Sequence, residues 1–241
     1  MICKGCYADK QLVKAHIIPE SFFRDLRADE KTLLLISNRA GVHKKKAPIG
    51  VYDETILCRE CEDRFEHIDD YAAKVLVNND GIEKIRSNGE VTAYRLNEVD
   101  TDLIKLFVIS LLWRASISRQ DFYKKVNLGP LEQKAKDLVW EGSTGNRHDF
   151  SFVLAKFDDT EKISKVILEP HSERWFGRKY YRFYIASYVL YVKVDSQNTP
   201  KIWERFISSD NTLLLFSRGK LEDSKEYPML VDAVKAGAKH N

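Results

Sequence analysis

The chain is 241 residues long, 44% hydrophobic and 31% charged, with 39 Lys and Arg against 36 Asp and Glu for a formal net charge of +3. This is ordinary globular composition, long enough for one good core or two modest domains, and it argues against a disordered chain. No run approaches 18 uncharged apolar residues, which argues against a membrane span, and so small a net charge is no argument for nucleic acid unless the basic residues are clustered.

The N-terminus opens on Cys3-Lys4-Gly5-Cys6, where a signal peptide would carry a charged and then an apolar segment, so a cytoplasmic protein with no membrane partner is expected. Leu12-Val13-Lys14-Ala15-His16 alternates as a short strand, and Pro19 suits the first turn of a helix over 19–26 because its missing N–H is no loss there. Leu33 to Ile36 reads as a second strand. The polar stretch 37–46 ends in Lys44, Lys45 and Lys46; it is a surface loop that could touch phosphate or simply be a solvated face. Cys58-Arg59-Glu60-Cys61 follows and runs into a helix, with Phe65, Ile68, Ala72, Val75 and Leu76 at helical spacing and Asn78 to Gly81 as its stop.

All four cysteines fall in these two Cys-x-x-Cys pairs, separated by the 51 residues from Tyr7 to Leu57. Two such pairs supply the four tetrahedral thiolates of a structural Zn2+ site, with Cys3, Cys6, Cys58 and Cys61 as ligands. In a reducing compartment that reading is favoured over disulfides.

Residues 82–96 read as a connection with a short strand around Val91 to Tyr94. Thr101 to Ser118 is apolar on most sides and predicts a buried central helix, in which Asp102, Lys105 and Arg114 argue against a membrane span. Gly129-Pro130 opens a shorter helix over Leu131 to Trp140, and Gly142 to Asn146 is a turn cluster. Beyond it the periodicity becomes strand-like over 150–157, 162–168, 180–194 and 212–216, which predicts an antiparallel sheet within 147–220 and a closing helix over Tyr227 to Ala238. The expected fold is α+β in three regions, a zinc finger over 1–80, a helical region over 81–145 and a β-rich region over 146–241. Within the last, Glu169 to Phe183 interleaves basic and aromatic residues. Arg174 and Arg178 there suit stacking and phosphate contacts, or the stretch is a strand with one aromatic face in the core and its arginines outside.

A strand bearing a histidine, then a loop, then a knuckle leading into an acidic helix start is the order of parts in a ββα-metal finger. There the histidine is the general base and the helix supplies ligands for a divalent cation. His16 fits the base, since an imidazole titrates near neutral pH. Glu62, Asp63 and Glu66 are hard ligands for Mg2+ or Mn2+, with Glu62 and Glu66 at i and i+4.

On Cys3, Cys6, His16-Ile17-Ile18-Pro19, Leu57-Cys58 and Cys61, residues 1 to about 76 resemble zinc-stabilised HNH (His-Me finger) endonucleases. The resemblance implies a metal-dependent endonuclease acting on phosphodiester bonds of nucleic acid, with DNA the expected substrate and bacterial defence or a mobile element the expected setting. It implies that Asp53, where the family has Asn, orients His16, and that Glu62, where the family has His, holds the catalytic metal, with Asp63, Glu66 or Asp69 assisting because Ala15 replaces an acidic neighbour. Lys44 to Lys46 and Arg64 would neutralise phosphates, and double-strand cleavage would favour a homodimer. The remainder is similar to uncharacterised bacterial HNH-like proteins at Leu111 to Ser118 and Leu128 to Pro130. The other reading is a zinc-finger module that binds nucleic acid or a protein partner without chemistry.

Overall fold

The computed structural model describes residues 1–23, 34–36, 45–46, 50–78, 81–158, 166–185, 187–207, 211–228 and 231, with backbone alone at 34–36, 45–46 and 166–167. In chain order the strands are β1 (Ala15–His16), β2 (Leu34–Ile36), β3 (Lys45–Lys46), β4 (Tyr52–Asp53), β5 (Glu83–Ser87), β6 (Glu90–Leu96), β7 (Phe152–Lys156), β8 (Val166–Leu168), β9 (His171–Trp175), β10 (Arg178–Ile185), β11 (Tyr188–Lys193) and β12 (Leu213–Ser217). The α-helices are α1 (Arg59–Glu62), α2 (Glu66–Leu76), α3 (Thr101–Ile117), α4 (Leu131–Glu141) and α5 (Lys201–Glu204). The fold is α+β, and no described helix is long and apolar enough to cross a membrane.

Helix α3 is the hub. Its N-terminus is capped by Asp100, whose carboxylate accepts from the amides of Asp102 (3.1 Å) and Leu103 (3.0 Å). Its apolar side chains, among them Leu106, Phe107, Leu111 and Trp113, are buried on every side, so it has no solvent stripe to mark a face. It packs against α2 and α4, and α4 stops at Gly142, which takes the left-handed conformation (φ 66°) that ends a helix cheaply only for glycine.

The large sheet has strand order β5-β6-β12-β7-β11-β10-β9, antiparallel throughout except for the parallel pair β12–β7. The 180–194 stretch is two strands, not one, turned back on itself. Residues 82–96, expected as a connection, form a full hairpin whose β6 pairs with β12, so they extend the C-terminal sheet. The finger and the β-rich region also interlock. β2 runs parallel to β8 with Leu34 opposite Val166 and Ile36 opposite Leu168. One hydrophobic core runs from Cys3 and Phe65 through α3 to Leu190 and Leu215, and a smaller one around Tyr180, Tyr184 and Tyr191 lies on the other face of the large sheet.

Two expected helices differ. Of the 19–26 segment, the described part is a 3-10 turn over Glu20–Phe23 that buries Phe22 and Phe23. The helix after Cys58 is interrupted by a 3-10 turn over Asp63–Phe65 between α1 and α2. Of the loop expected at 37–46 only Lys45–Lys46 is described, and it pairs with β2 as a strand; of the closing helix expected over 227–238 only residues 227, 228 and 231 are described, and these are helical.

Candidate functional site

The two knuckles meet. In the first, Tyr7 at φ 58° turns the chain so that its amide donates to the Cys3 carbonyl (2.9 Å). In the second, the amides of Cys61 and Glu62 both donate to the Cys58 carbonyl (3.1 and 3.0 Å). They are stitched together by Lys4 N–H to Ile56 O (2.8 Å), Val13 N–H to Leu57 O (2.9 Å) and Cys58 N–H to Cys3 Sγ (3.2 Å). The Sγ atoms of Cys3, Cys6, Cys58 and Cys61 all lie within 4.8 Å of one another, and Cys6 and Cys58 are 3.8 Å apart. Ligands at about 2.3 Å from a tetrahedral zinc stand roughly 3.8 Å from each other. All four are free thiols, and 3.8 Å is far beyond a disulfide bond. The cluster can therefore hold a metal such as zinc. Burial opposes ionisation of Cys3, but hydrogen bonds from Cys6, Cys58 and Gly5 bring its thiol down to about 7. Gly5 is needed for close approach: a Cβ there would stand 2.7 Å from Cys61 Sγ and 2.9 Å from the Trp140 ring.

On the β1–β4 ribbon, Ala15 is opposite Asp53 and His16 is opposite Tyr52. Successive side chains on a strand point to opposite faces, so His16 and Asp53 face away from each other. The His16 ring packs edge-on to Tyr52 at 6.0 Å, and its Nε2 is 3.9 Å from Glu20 Oε2. Asp53 is buried on the other side and accepts from Thr55 N–H (2.8 Å), Thr55 Oγ1 (2.7 Å), Ser118 Oγ (2.9 Å) and Arg119 N–H (2.6 Å). The expectation that Asp53 orients His16 is thus corrected: the pairing register places Asp53 against the C-terminal end of α3, where it ties the finger to the hub. Burial opposes its charge, yet these hydrogen bonds hold its pKa below the ordinary carboxylate value.

Glu62, at the end of α1, does reach the histidine strand, accepting from the His16 amide through Oε1 (3.2 Å). Its Oε2 is buried and has no hydrogen-bond partner among the described residues. Burial pushes this carboxyl up, and the nearby Arg114 draws it down. The other carboxylates do not join it. The 3-10 turn breaks the i, i+4 relation with Glu66, which is solvent-exposed; Asp63 is exposed and lies 3.6 Å from Arg59.

Asp69, expected as an assisting ligand, is committed to an ion pair. Arg114 of α3 is fully buried and grips it with Nη1 (2.8 Å) and Nη2 (2.7 Å). The same guanidinium donates to the His16 carbonyl (2.8 Å) and to Ser110 Oγ (3.2 Å), and lies 4.7 Å from the Phe65 ring centroid. His16 is therefore held at both backbone polar groups, by Glu62 at its N–H and by Arg114 at its C=O. At the level of sequence Arg114 argues only against a membrane span. The signal that could have marked it is a lone arginine inside an otherwise apolar helix, which must find a partner when buried.

The proposed phosphate contacts scatter. Lys44 lies outside the described residues, and Lys45 and Lys46 are placed by backbone only, as β3. Arg64 is exposed, with its guanidinium 5.6 Å from the Trp140 ring. Arg174 pairs across the β9–β10 hairpin with Lys179, and Arg178 with Trp175, so the two arginines sit on opposite faces. His171 contacts Arg182, which also bonds Glu226 (3.1 Å). Glu226 in turn accepts from Tyr184 (2.8 Å) and Arg218 (2.9 Å), an internally compensated network beside the smaller core. Comparison of the chain with protein-family models, with curated proteins and with solved structures gives no match.

Proposed function

We propose that this chain is a metal-dependent nuclease that hydrolyses phosphodiester bonds, with DNA as the substrate, built on a zinc-stabilised ββα-metal finger. The carrying observation is the juxtaposition of His16 with Glu62, whose carboxylate keeps one buried oxygen without a hydrogen-bond donor among the described residues. An anionic oxygen removed from water without a donor is costly, and a cation is one group that satisfies it. In this reading Cys3, Cys6, Cys58 and Cys61 hold a structural Zn2+ that fixes the knuckle leading into α1. Glu62 would hold Mg2+ or Mn2+, whose chemistry is to offset negative charge developing on phosphate oxygens. His16 accepts the proton of the attacking water at a ring nitrogen. The orienting role expected of Asp53 passes to the backbone clamp, since Glu62 and Arg114 fix the His16 peptide groups and so the direction of its side chain. Four reduced thiolates suit the cytoplasm, and a dimer would place two such sites on two strands of a duplex.

A second reading, a finger that binds nucleic acid or a protein without chemistry, draws on the commitment of Asp53 and Asp69 to hydrogen bonds and an ion pair elsewhere, which removes two of the carboxylates expected to serve His16 and the metal. The two readings part in one experiment. Wild type, His16→Ala and Glu62→Gln are incubated with plasmid, single-stranded DNA and RNA in Mg2+ or Mn2+, with zinc content measured on each and Mn2+ binding followed by electron paramagnetic resonance. The nuclease reading expects cleavage lost in both variants, zinc retained in both, and Mn2+ binding lost in Glu62→Gln. Zinc-loaded, folded wild type that cuts none of the substrates would overturn it. A setting in bacterial defence or a mobile element predicts altered phage sensitivity or element transfer on deletion of the gene; no change in either would count against that setting.

A further inference from the structure

Among the described residues five large apolar side chains are exposed. Three (Met1, Ile2 and Tyr7) adjoin the first knuckle, and two, Phe176 (61% exposed) and Ile202 (54%), stand at the far edge of the large sheet. Phe176 is at the tip of the β9–β10 hairpin, a two-residue turn with positive φ at both Phe176 (50°) and Gly177 (73°). That turn geometry favours Asn-Gly, and a bulky aromatic at the left-handed position is strained there. The chain thus holds an aromatic ring out in solvent at a conformational cost, and strain of this kind gathers at functional sites.

The tip is continuous with α5. Trp175 stacks on Trp203 of α5 (ring centroids 4.9 Å, 29° between planes), and Arg178 donates to the carbonyls of Asn198 (3.0 Å) and Phe176 (3.3 Å). α5 then presents Lys201 and Ile202 outward, and Arg205 follows with its guanidinium 5.1 Å from the Phe206 ring centroid. Lys201, Arg205 and Arg178 have no carboxylate within ion-pair distance among the described residues, whereas Arg182, on the same face of the hairpin as Arg178, is neutralised by Glu226 and Glu173. Against these three cations α5 carries one carboxylate, Glu204, so the surface keeps net positive charge around exposed ring and aliphatic faces.

We propose that the hairpin tip and α5 form a platform for single-stranded nucleic acid, with Phe176 stacking on an unpaired base, Ile202 against its neighbour, and Arg178, Lys201 and Arg205 on the phosphates. Planar apolar faces ringed by cations are complementary to a planar, anionic ligand, and only a single strand offers its base faces to a protruding ring. A lipid surface is the poorer match, because two exposed apolar side chains bury too little area to hold a bilayer. This deepens the nuclease reading by naming the strand state of its substrate, and it is tested without cleavage.

The experiment is fluorescence anisotropy of labelled 20-residue oligo(dT) and a 20-base-pair duplex, without added divalent cation, with flotation on phosphatidylserine vesicles alongside. The proteins are wild type, Phe176→Asn, Lys201→Ala/Arg205→Ala and, as a control, Lys74→Ala, which removes an exposed cation of α2. Expected is preference of wild type for the single strand, unchanged in Lys74→Ala. Phe176→Asn should weaken binding roughly 5- to 160-fold while leaving thermal stability equal or higher, since Asn-Gly relieves the turn. The double variant should flatten the slope of log K against log salt by about 1.4, because each phosphate that is no longer neutralised on a single strand takes about 0.7 from that slope. Unchanged affinity in Phe176→Asn and the double variant, preference for duplex, or association with vesicles alone would each overturn the platform. Failure of cleavage with these binding results intact would count against the nuclease reading and leave the platform standing.

Discussion

Replacing Arg114 by Met tests the hub directly. The guanidinium is fully buried, makes two hydrogen bonds to Asp69 at 2.8 and 2.7 Å, and adds bonds to the His16 carbonyl at 2.8 Å and to Ser110 Oγ at 3.2 Å. Methionine fills much of the aliphatic volume but leaves the Asp69 carboxylate buried and unpaired, a situation that costs about 3–5 kcal/mol. At about 2–4 °C per kcal/mol for a chain of this size, the melting temperature should fall by roughly 6–20 °C. The assay is urea unfolding followed by tryptophan fluorescence, with Trp113 next to the substituted position. Arg114→Met combined with Asp69→Leu should recover most of the loss, because removing both members of a buried pair is often neutral. It should not recover any His16-dependent cleavage, since the clamp on the His16 carbonyl is still missing. A cost below about 1 kcal/mol for Arg114→Met, or simple additivity in the double variant, would refute the idea that this pair organises the finger.

Other outcomes follow from the same geometry. Gly5→Ala should displace Cys61 Sγ, which a Cβ would approach to 2.7 Å, so a zinc-chelator competition should show faster metal release than in wild type at unchanged secondary structure. Asp53 has a folded pKa held below its unfolded value, so its contribution is present above about pH 4 and is lost as pH falls through the folded value. Asp53→Asn should therefore lower the urea midpoint at pH 7 and converge with wild type below about pH 4; a constant gap at every pH would contradict this. Lys156, with its Nζ on Ser187 Oγ at 2.9 Å, behaves in the opposite sense, because burial lowers its ammonium to about 8 from 10.5. The unfolded chain binds the extra proton between these values, so wild-type stability should gain from this residue as pH rises from 8 towards 10.5, a gain that Lys156→Met should lack.

Local rules were readable from the amino-acid order alone. Two Cys-x-x-Cys pairs name a ligand set because the chemistry depends on spacing, and the four Sγ atoms do converge. Helix α3 was legible from its apolar run, and α4 from Pro130 before it and Gly142 after it, since helix ends obey local rules. The strand-forming stretches after residue 150 were legible from alternation and β-branched content, though not the division of 180–194 into two strands, nor the hairpin over 82–96 that joins them in the large sheet. Whatever depends on which residue lies opposite which emerged only with the packed chain. A one-residue shift of register exchanges the faces of a strand, so no reading of residues 15 and 53 as neighbours could tell that His16 faces Tyr52 while Asp53 faces α3. The same holds for Arg174 and Arg178, which are close in sequence and on opposite faces of the hairpin. Arg114 and Asp69 are 45 residues apart, and nothing local marks them as partners; only the packing of α2 on α3 removes both charges from water and forces them together.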